Sequence, residues 1–360
     1  MLNYEFPPLG GGAANANRYM LKKMADKDVE IDLVTSSLEE EEKESFSENI
    51  TVHRVDVNKK DIHYWRQREI LLYMVRGFRR SKELIEEKDY DLIHAWFGFP
   101  CGFMSQHLEL PYIVSLRGSD VPGYNNRFSF HYVLLKPVIR SVWRNAEAIV
   151  ANSSGLRDLA RETMDINIDI IPNGVDVSQF APRASEKTRF RVLTVARLIE
   201  RKRVGDIIEA VKGLDVELVI VGEGNKKSKL KAMVSKQGLD DKIDFKGYVE
   251  HDKLPKIYES ADLFVLPSLN EGMSNTLLEA MAAGLPIVTT DTGGTEELID
   301  GNGKIVEKEN SSEIRSAIRN YIDDPVMHEK HQSRSREIAK RMSWENKAED
   351  YMELYRKCIQ

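Results

Sequence analysis

The stretch Pro267-Ser-Leu-Asn-Glu-Gly-Met-Ser-Asn-Thr-Leu-Leu-Glu-Ala-Met-Ala-Ala-Gly-Leu-Pro286 decides the fold of this chain. The apolar run Leu263-Phe-Val-Leu266 directly before it predicts a short buried strand. A helix is expected after the intervening loop, because Gly284-Leu-Pro286 is a sequence at which helices usually end. Strand, loop and helix in this order are the repeating unit of an α/β sheet.

The start of this helix is an expected anion site. We place it at Ser274 to Thr276, where the first backbone N–H groups have no partner within the helix and the helix dipole is positive. Glu271 in the loop and Glu279 in the second helical turn have seven residues between them and would lie on either side of a bound diphosphate. This arrangement indicates a pocket for a sugar nucleotide.

A second interpretation of the same residues needs no ligand. Thr276-Leu-Leu-Glu279 has the pattern of a capping box, in which the threonine caps the helix and the glutamate reaches back to the N–H of the cap. Short capping patterns of this kind are frequent. On these residues alone, both interpretations stay open.

Length and composition limit the classes of protein to which the chain can belong. Its 360 residues suit two domains rather than one core, and 41% apolar with 31% charged residues is typical of a soluble globular protein. No apolar run is long enough to span a membrane and no signal peptide opens the chain, so we expect a cytoplasmic protein. Cys101 and Cys358 have neither pairing nor metal-ligand spacing, which argues against a disulfide framework and a zinc site. The net charge of -6 argues against a general nucleic-acid binder.

Short β-branched runs alternate with helical patterns along both halves, which predicts parallel sheets with helices on both faces. The predicted strands of the first half are residues 31–35, 50–55, 92–97, 112–116, 148–151 and 168–171. Those of the second half are residues 191–196, 216–221, 243–245, 263–266, 287–290 and 305–306. Ser36 to Glu48, with four consecutive glutamates, is predicted to be a solvated acidic loop. Ligands of such sheets bind at the carboxyl ends of the strands.

A glycine-rich loop, Pro7-Pro-Leu-Gly-Gly-Gly-Ala-Ala14, precedes the first predicted helix. Its backbone N–H groups can approach a phosphate closely. A dinucleotide fingerprint, and with it a nicotinamide-dependent enzyme, is the competing hypothesis. The third glycine of that fingerprint is replaced by Asn15, and a second candidate, Gly222-Glu-Gly224, fails at Lys227. The sequence therefore disfavours NAD.

Three motifs carry a resemblance to a known family. The first is Ile171-Pro-Asn-Gly-Val-Asp-Val-Ser-Gln-Phe180, which is similar to the pattern I-P-N-G-V-D-x-x-x-F. The second is Arg197-Leu-Ile-Glu-Arg-Lys202, which is similar to G-R-L-x-x-x-K with Ala196 in place of the glycine. The third is formed by residues 271–279, which have the form E-x7-E. Together they resemble glycosyltransferase family 4, the retaining glycosyltransferases of group 1. The resemblance implies a GT-B fold, in which two Rossmann-like domains face a cleft. It also implies transfer, with retention, of a hexose-type sugar from a nucleoside diphosphate of the UDP or GDP type.

The resemblance assigns roles to individual residues. Glu271 is expected to meet the sugar hydroxyls or the positively charged anomeric region, and Glu279 the ribose hydroxyls. Arg197 and Lys202 match the pair that contacts the diphosphate, on which negative charge grows as the glycosidic bond breaks. The remaining donor contacts are expected from Gly11, Gly12, Ser274, Asn275, Thr276 and Leu277, and from Tyr248 and Val249 at the base. No metal ion and no cofactor is implied.

Arg117 and Asp120 follow a predicted strand in the motif Ser115-Leu-Arg-Gly-Ser-Asp120. Many family members carry a histidine where Arg117 stands, so we expect Arg117 to offer a fixed cation to a phosphate or sugar oxygen instead. Asp120 matches the acid of the family motif and is expected to bind sugar hydroxyls. An ion pair within the loop is the alternative for both residues. His94, a lone histidine after another strand, is expected to be structural.

Two basic stretches rich in aromatic residues interrupt this acidic chain. Residues 61–82 carry six cations against two acids, and residues 126–144 carry four cations and no acid. Basic aromatic helices bind anionic membrane surfaces, whereas helices packed on a sheet are amphipathic as well. The first hypothesis predicts peripheral attachment to the inner face of the cell membrane. It also favours a glycan or lipid-linked acceptor, in polysaccharide or glycolipid synthesis at the cell surface.

Two other classes of function stay open. A sugar-nucleotide epimerase or phosphorylase with the GT-B fold would use a similar site, and a non-catalytic subunit would only bind the sugar nucleotide. The presence of both the Glu271/Glu279 pair and the Arg197/Lys202 pair argues against binding alone, since a binder has no evident need for all four.

The predicted domains are residues 1–182, which bind the acceptor, and residues 188–340, which bind the donor. The polar stretch Pro182 to Lys187 is the predicted linker. Trp344, Ala348, Tyr351 and Leu354 have helical spacing and predict an amphipathic helix within residues 343–360. The resemblance implies that this helix packs back on the first domain. Only three residues follow Met1 before the first loop, so either the first strand is short or the true start lies upstream.

Overall fold

The computed structural model describes residues 1–62, 64–124, 129–182 and 189–359, and within 129–134 it describes the backbone alone. The chain divides into two compact units. Unit 1 is Met1–Asn173 together with Trp344–Gln360, and unit 2 is Gly174–Ser343. The chain therefore leaves unit 1 once and returns to it for its last helix. Residues 183–187 of the predicted linker lie outside the described residues.

Unit 1 alternates strands and helices along most of its length. Its strands are β1 (Ile31–Ser37), β2 (Glu42–Ser47), β3 (Ile50–Asp56), β4 (Ile93–Trp96), β5 (Tyr112–Leu116), β6 (Ala148–Ala151) and β7 (Asp169–Ile170). The helices before unit 2 are α1 (Gly12–Met24), α2 (Gln67–Glu87), α3 (Phe103–Ser105), α4 (Ser129–Arg144) and α5 (Ser154–Arg161). All six predicted strands of this half are present.

Parallel pairing organises unit 1. β4, β5, β6 and β7 pair in that order, and β1 pairs parallel with β3. Leu2 forms bridges both to Val34 of β1 and to Ala95 of β4, so a short first segment joins the two groups of strands. β1 is buried along its whole length, as expected of a strand with helices on both faces of its sheet.

One prediction for unit 1 is wrong. Residues 42–47, assigned to a solvated acidic loop, form β2, which pairs antiparallel with β3. The strand is exposed along most of its length and Phe46 is its only apolar residue, so it lacks the alternation by which a strand is recognised in a sequence. It lies at the edge of its sheet, where charged side chains discourage pairing with another chain.

Unit 2 restarts the alternation with a larger sheet. Its strands are β8 (Phe190–Val195), β9 (Val216–Val221), β10 (Ile243–Gly247), β11 (Leu263–Leu266), β12 (Ile287–Thr290) and β13 (Gly303–Val306). Its helices are α6 (Val204–Val211), α7 (Lys227–Lys236), α8 (Leu254–Glu259), α9 (Asn275–Ala282), α10 (Ser311–Asp323) and α11 (Pro325–Arg341). The strands lie in the order β10-β9-β8-β11-β12-β13 and every pair is parallel. The six strands predicted for this half are confirmed.

The sheet of unit 2 is buried on both faces. Successive residues of a strand point to opposite faces. Accordingly, Leu193 and Phe264 belong to one apolar core, while their neighbours Val192 and Val265 belong to the other. This double burial explains why the central strands are continuous apolar runs rather than alternating ones.

The last helix, α12 (Trp344–Ile359), belongs to unit 1. Its predicted apolar face is confirmed, since Trp344, Ala348, Tyr351 and Leu354 are all buried in the core of that unit. The helix also packs along α1, where Trp344 stacks on Tyr19 with ring centroids 6.2 Å apart.

Cys101 and Cys358 are both free thiols. Within the described ranges, no helix combines the length and the apolarity that crossing a bilayer requires.

Candidate active site

Three predicted donor residues of unit 2 follow the ends of two neighbouring strands of its sheet. β9 and β10 extend from one side of β8, whereas β12 and β13 extend from β11, so the order of the strands reverses between β8 and β11. Ligands of parallel sheets usually bind outside the carboxyl ends of the strands at such a switch point. Arg197 and Lys202 follow β8, and Glu271 follows β11.

The loops at these strand ends pack closely on each other. The N–H of Leu198 donates to the carbonyl of Glu223 at 2.8 Å, and the N–H of Ala196 to that of Val221 at 3.0 Å. Gly222 has a φ of 133°, and a Cβ at this position would overlap the Ala196 carbonyl oxygen. The close approach of the two backbones therefore explains this glycine without a bound nucleotide.

Lys202 and Glu271 form an ion pair at this switch point. Lys202 Nζ contacts Glu271 Oε1, and each side chain is only 11% exposed. The loop that holds Glu271 is fixed from the same side. The N–H of Leu269 donates to the carbonyl of Arg201 at 2.8 Å, and the Arg201 guanidinium donates to the carbonyl of Asn270 at 3.1 Å. The turn after β8 therefore sets the position of the glutamate.

The neighbouring charges decide the protonation of this pair. Burial acts to raise the pKa of Glu271, but the cations Lys202 and Arg201 outweigh it, so that the pKa lies below its usual value. Burial lowers the pKa of Lys202, and the charge of Glu271 opposes that shift. Glu271 is therefore an anion at neutral pH, with Lys202 as its counter-ion.

Two predicted donor contacts of unit 2, Arg197 and Tyr248, are exposed. Arg197 is exposed at the end of β8. Tyr248 follows β10 and is 68% exposed, next to the half-buried Val249. A solvent-facing aromatic ring is a surface on which a nucleobase can stack.

The helix α9 begins and ends as predicted. Ser274 is its N-cap and forms no side-chain capping hydrogen bond, and Gly284 follows its end with a φ of 74°. Asn275, Thr276 and Leu277 make up its first turn, whose N–H groups have no acceptor within a helix. The capping-box interpretation is wrong, because Thr276 lies inside the helix and the cap is Ser274.

Glu279 contacts two side chains that the sequence analysis missed. Its Oε1 lies 3.0 Å from His251 Nε2, and its Oε2 accepts a hydrogen bond of 2.8 Å from the Tyr258 hydroxyl. Helical spacing from Leu254 predicts that Tyr258 is buried, but no pattern predicts which atom its hydroxyl reaches. Nothing in the spacing marks His251.

The glycine-rich loop of unit 1 leads directly into α1. Gly11 is the N-cap of that helix and Gly12 its first residue, and both are exposed. Gly10 has a φ of 92°, and its N–H donates to the carbonyl of Ile62 at 3.1 Å. No atom lies within 4 Å of a Cβ built on Gly11. The predicted contact of Gly11 and Gly12 with a diphosphate stays a prediction.

Asp120 is 5% exposed and binds backbone groups. Its Oδ2 accepts the N–H of Gly98 at 2.7 Å, and its Oδ1 accepts the N–H of Arg117 at 2.9 Å. Burial raises the pKa of Asp120, and these N–H groups oppose the rise. The alternative of a side-chain ion pair within the loop is corrected here, because Asp120 meets the backbone of Arg117 rather than its guanidinium. Its predicted contact with sugar hydroxyls stays a prediction.

The guanidinium of Arg117 packs among residues of unit 1. Its centre lies 3.6 Å from the ring centroid of Trp96, and its two terminal nitrogens donate to Asn173 Oδ1 at 3.0 Å and to the Tyr351 hydroxyl at 2.9 Å. These contacts attach the end of β5 to α12. The predicted role of Arg117 as a cation for the donor stays a prediction, beside this structural one.

His94 is buried and bonded on both ring nitrogens. Its Nδ1 lies 2.7 Å from the Tyr355 hydroxyl and its Nε2 lies 2.7 Å from Ser115 Oγ. Burial, with the charge of Arg117, lowers the pKa of His94 well below its usual value, so the imidazole is neutral. These contacts agree with the structural role expected of this histidine.

Across the described part of the chain, no group of three or more His, Cys, Asp or Glu side chains is arranged to hold a metal ion. At the switch point of unit 2 the charged groups in contact are the carboxylate of Glu271 and the ammonium of Lys202. Such a site can bind an anion through its cation and stabilise a developing positive charge through its carboxylate.

Both halves of the chain match family models of known glycosyltransferases. The model of Glycosyltransferase Family 4 matches residues 10–179, and that of Glycosyl transferases group 1 matches residues 177–342. An uncharacterized glycosyltransferase of Methanocaldococcus jannaschii is 26% identical over 347 residues, which cover 94% of this chain and 92% of that protein.

Two solved structures are similar over almost the whole chain. The sucrose-phosphate synthase of Thermosynechococcus elongatus matches with a TM-score of 0.83 at 20% identity and covers 96% of this chain and 93% of that one. HepE of Anabaena, solved in complex with UDP-glucose, matches with a TM-score of 0.77 at 19% identity, covering 99% and 98%. These likenesses confirm the predicted GT-B fold. Since the two family models adjoin and together span residues 10–342, the chain belongs to glycosyltransferase family 4 of the group 1 glycosyltransferases.

Proposed function

We propose that this glycosyltransferase moves a hexose-type sugar from a nucleoside diphosphate to a glycan or lipid-linked acceptor, with retention at the anomeric carbon and without a metal ion. The observation that carries the proposal is the Lys202–Glu271 ion pair at the switch point between β8 and β11. A cation and an anion are held together there, and the anion, Glu271, lies three residues before the N-cap of α9. A donor needs the first for its diphosphate and the second for its sugar.

The leaving group sets the demand on the cations. When the bond between the anomeric carbon and the phosphate breaks, negative charge grows on the diphosphate, and preorganised donors stabilise it. In our proposal Arg197, Lys202 and the N–H groups of residues 275–277 supply that stabilisation. They do the work that a divalent ion would otherwise do.

Lys202 can serve Glu271 and the donor together. An ammonium group has three N–H donors, so one contact with Glu271 leaves capacity for a phosphate oxygen. Glu271 stays ionised, since the cations beside it outweigh the effect of burial on its pKa. A fixed negative charge near the anomeric carbon stabilises the positive charge that develops there as the leaving group departs.

In our proposal the other predicted contacts bind the ribose, the base and the diphosphate. Glu279 would accept the ribose hydroxyls, Tyr248 and Val249 would meet the base, and Gly11 and Gly12 would approach the diphosphate. A UDP-type donor is favoured over a GDP type, because HepE, a structural relative, was solved with UDP-glucose.

A ligand panel tests the donor. UDP, GDP, ADP and NAD are compared by thermal shift on the wild type and on Glu279→Ala. A ligand at about 100 times its dissociation constant adds roughly 2.7 kcal/mol to the free energy of unfolding, which is readily measured. We expect one nucleoside diphosphate to shift the wild type and not the variant. A shift with NAD alone, or with none of the four, contradicts the proposal.

A turnover assay tests the chemistry. A sugar nucleotide that carries the nucleoside diphosphate selected by the panel is incubated with the protein in excess chelator. NMR then identifies the anomeric configuration of the sugar in the first product. A product with the anomeric configuration of the donor is expected. The inverted anomer contradicts retention, and loss of turnover in chelator contradicts metal independence. Binding without any turnover identifies a non-catalytic subunit instead.

The lipid-linked acceptor is supported by the outer face of α2. Leu71 and Val75 are 60% and 69% exposed, and Arg68 and Arg79 on the same face are exposed as well. An exposed apolar pair between cations is the pattern by which a helix binds an anionic lipid surface. We therefore include peripheral attachment to the inner face of the cell membrane in the proposal. In the second basic stretch, Arg127 and Phe128 lie outside the described residues.

Flotation with liposomes tests this attachment. Leu71→Ser with Val75→Ser should reduce co-migration with anionic vesicles at low salt, since it removes the two exposed apolar side chains of α2. Ile305→Ser in β13 is a matched control, because Ile305 is 50% exposed in unit 2. Absence of wild-type protein from the vesicle fraction contradicts membrane attachment and leaves the donor proposal untouched.

A further inference from the structure

The carboxylate of Glu279 is held at both oxygens. Glu279 lies in the second turn of α9, and its side chain is 11% exposed. His251 Nε2 lies 3.0 Å from Oε1, and the Tyr258 hydroxyl donates to Oε2 at 2.8 Å. A carboxylate with one contact can still rotate about its last bond, whereas one with a separate contact at each oxygen cannot rotate without breaking a contact.

The position of the Tyr258 hydroxyl is itself fixed. Tyr258 is 0% exposed near the end of α8. Its ring lies edge-on to Phe180, with centroids 5.6 Å apart, and tilted against Phe264 at 5.8 Å. Burial, with the charge of Glu279, raises the pKa of Tyr258 well above its usual value, so the hydroxyl keeps its proton and donates a hydrogen bond to Glu279.

His251 contacts the other oxygen of the carboxylate and is more exposed than Tyr258. It belongs to the 3₁₀ turn His251–Lys253 that precedes α8, and its side chain is 32% exposed. The short segment from His251 to Tyr258 thus supplies both contacts of Glu279. It follows β10 and the base-binding candidate Tyr248, so one loop and one helix connect the expected base site with the expected ribose site.

We propose that Tyr258 and His251 are positioning residues of the donor site, which orient the Glu279 carboxylate so that its remaining lone pairs accept the two hydroxyls of the donor ribose. An ionised carboxylate offers about four acceptor positions, so two internal contacts leave two for a ribose. Orienting the carboxylate before the ligand arrives removes an ordering cost from binding. This inference rests on the proposed function, because it takes the ligand to be a nucleoside diphosphate.

The consequence is a preference for ribose over deoxyribose that depends on Tyr258. A 2′-deoxy nucleotide lacks one of the two hydroxyls, so it gains less from an oriented carboxylate. Loss of the Tyr258 hydroxyl should therefore weaken ribonucleotide binding more than deoxyribonucleotide binding. A purely structural role for Tyr258 would weaken both equally.

The experiment measures dissociation constants by calorimetry for UDP, GDP and their 2′-deoxy forms. The variants are Tyr258→Phe, His251→Ala, Glu279→Ala and the double variant Tyr258→Phe/Glu279→Ala. Tyr321→Phe is the matched control, since Tyr321 is a buried tyrosine of unit 2 whose hydroxyl lies 2.8 Å from a different histidine, His331. His251→Ala provides a variant outside the core, in case Tyr258→Phe does not fold.

We expect Tyr258→Phe to weaken the preferred ribonucleotide by about tenfold and to reduce the ribose preference, with a smaller effect of the same kind for His251→Ala. The donor KM should rise by more than kcat falls. In the Glu279→Ala background Tyr258→Phe should have no further effect on the ribose preference, because the group it orients is gone. Tyr321→Phe should match the wild type.

An unchanged ribose preference in folded Tyr258→Phe and His251→Ala overturns the inference, and so does additivity in the double variant. Either result leaves the proposed function standing, provided that the wild type binds a nucleoside diphosphate. A wild type that binds none of the four nucleotides overturns the proposed function and this inference with it.

Discussion

Asp120 in unit 1 and Glu271 in unit 2 both follow the end of a parallel strand, but they have different kinds of partner. Asp120 accepts two backbone N–H groups, from Gly98 and Arg117, and thereby fixes the path of its own loop. Glu271 is paired with the side chain of Lys202. A backbone partner cannot leave without unfolding the loop, whereas an ammonium group can turn to a ligand. From the type of partner, rather than from the degree of burial, we expect Asp120 to hold its loop and Glu271 to be available to a substrate.

The cations of the two units differ in the same way. Arg117 lies over Trp96 and donates to Asn173 and Tyr351, so it joins distant parts of unit 1. Lys202 contacts Glu271, the carboxylate to which the proposed function assigns the anomeric region. Four experiments, ordered by the size of the expected effect, test whether this division between the units is real.

The largest effect is expected from Glu271→Gln. The amide keeps the shape of the side chain but removes the charge that would stabilise the transition state, so donor turnover should fall by about a hundredfold or more. Nucleotide affinity should change by no more than a few-fold, which calorimetry checks alongside initial rates. Turnover equal to that of the wild type would remove Glu271 from the mechanism and with it the basis of the comparison.

Asp120→Asn should act on stability instead. One of the two N–H groups would face an amide NH2 in place of an oxygen, and a buried donor without a partner costs roughly 1–3 kcal/mol. Urea unfolding followed by tryptophan fluorescence measures this, because all four tryptophans, Trp65, Trp96, Trp143 and Trp344, belong to unit 1. A stable variant with lost turnover would mean that Asp120 binds the sugar, as its motif suggested.

Arg117→Lys tests the cation of unit 1. The ammonium keeps the charge but cannot reach Asn173 and Tyr351 with the geometry of the guanidinium, so unfolding should become easier by about 1 kcal/mol per lost hydrogen bond. Tyr351→Phe, which removes one of these acceptors, should give a smaller change in the same direction and little further change when combined with Arg117→Lys. A fall in kcat at unchanged stability would contradict the structural role.

The smallest effect is a pH dependence that begins in unit 1. Burial, with the charge of Arg117, lowers the pKa of His94 well below 6.5. At pH values between the unfolded and folded pKa, the unfolded chain binds protons that the folded chain does not, so stability falls as the pH falls. The fall begins near pH 6.5, and His94 contributes at most about 1.4 kcal/mol per pH unit.

His94→Gln is the variant that isolates this contribution. It should flatten the loss of stability below pH 6.5, measured by the same tryptophan signal, and should leave the slope above that pH unchanged. Glu271 of unit 2 enters only in stronger acid. Its pKa is lowered from 4.5, so its stabilising effect is present above that value and is lost as the pH falls below it. An identical pH slope in the variant would mean that other groups carry the effect.

The fold was largely predictable because most of its strands have a recognisable local pattern of apolar residues. Runs such as Leu263–Leu266 are apolar along their length, and they form strands in the structure. The exception, β2, is an edge strand with a single apolar side chain, so it has no apolar pattern to recognise. Its pairing depends on β3, which a local pattern does not include.

The candidate site was predictable only in part, for the same physical reason. The ends of α9 follow from a serine cap and a glycine, which are local. The contact of Tyr258 with Glu279 joins two helices and depends on where the sheet places them. The contacts of Arg117 with Asn173 and Tyr351 span 56 and 234 residues, and no spacing in the motif around Arg117 contains them.

The return of the chain to unit 1 has a consequence for its synthesis. A ribosome finishes every residue of unit 2 before it makes α12, so the second unit in the sequence is the first with all of its parts. Until α12 emerges, His94 and Arg117 lack the tyrosine hydroxyls that they contact in the finished protein. Nascent multidomain chains generally fold from the N-terminus onward. In this chain, Trp344, Tyr351 and Leu354 of α12 belong to the core of unit 1, so that core can be completed only after unit 2 has been synthesised.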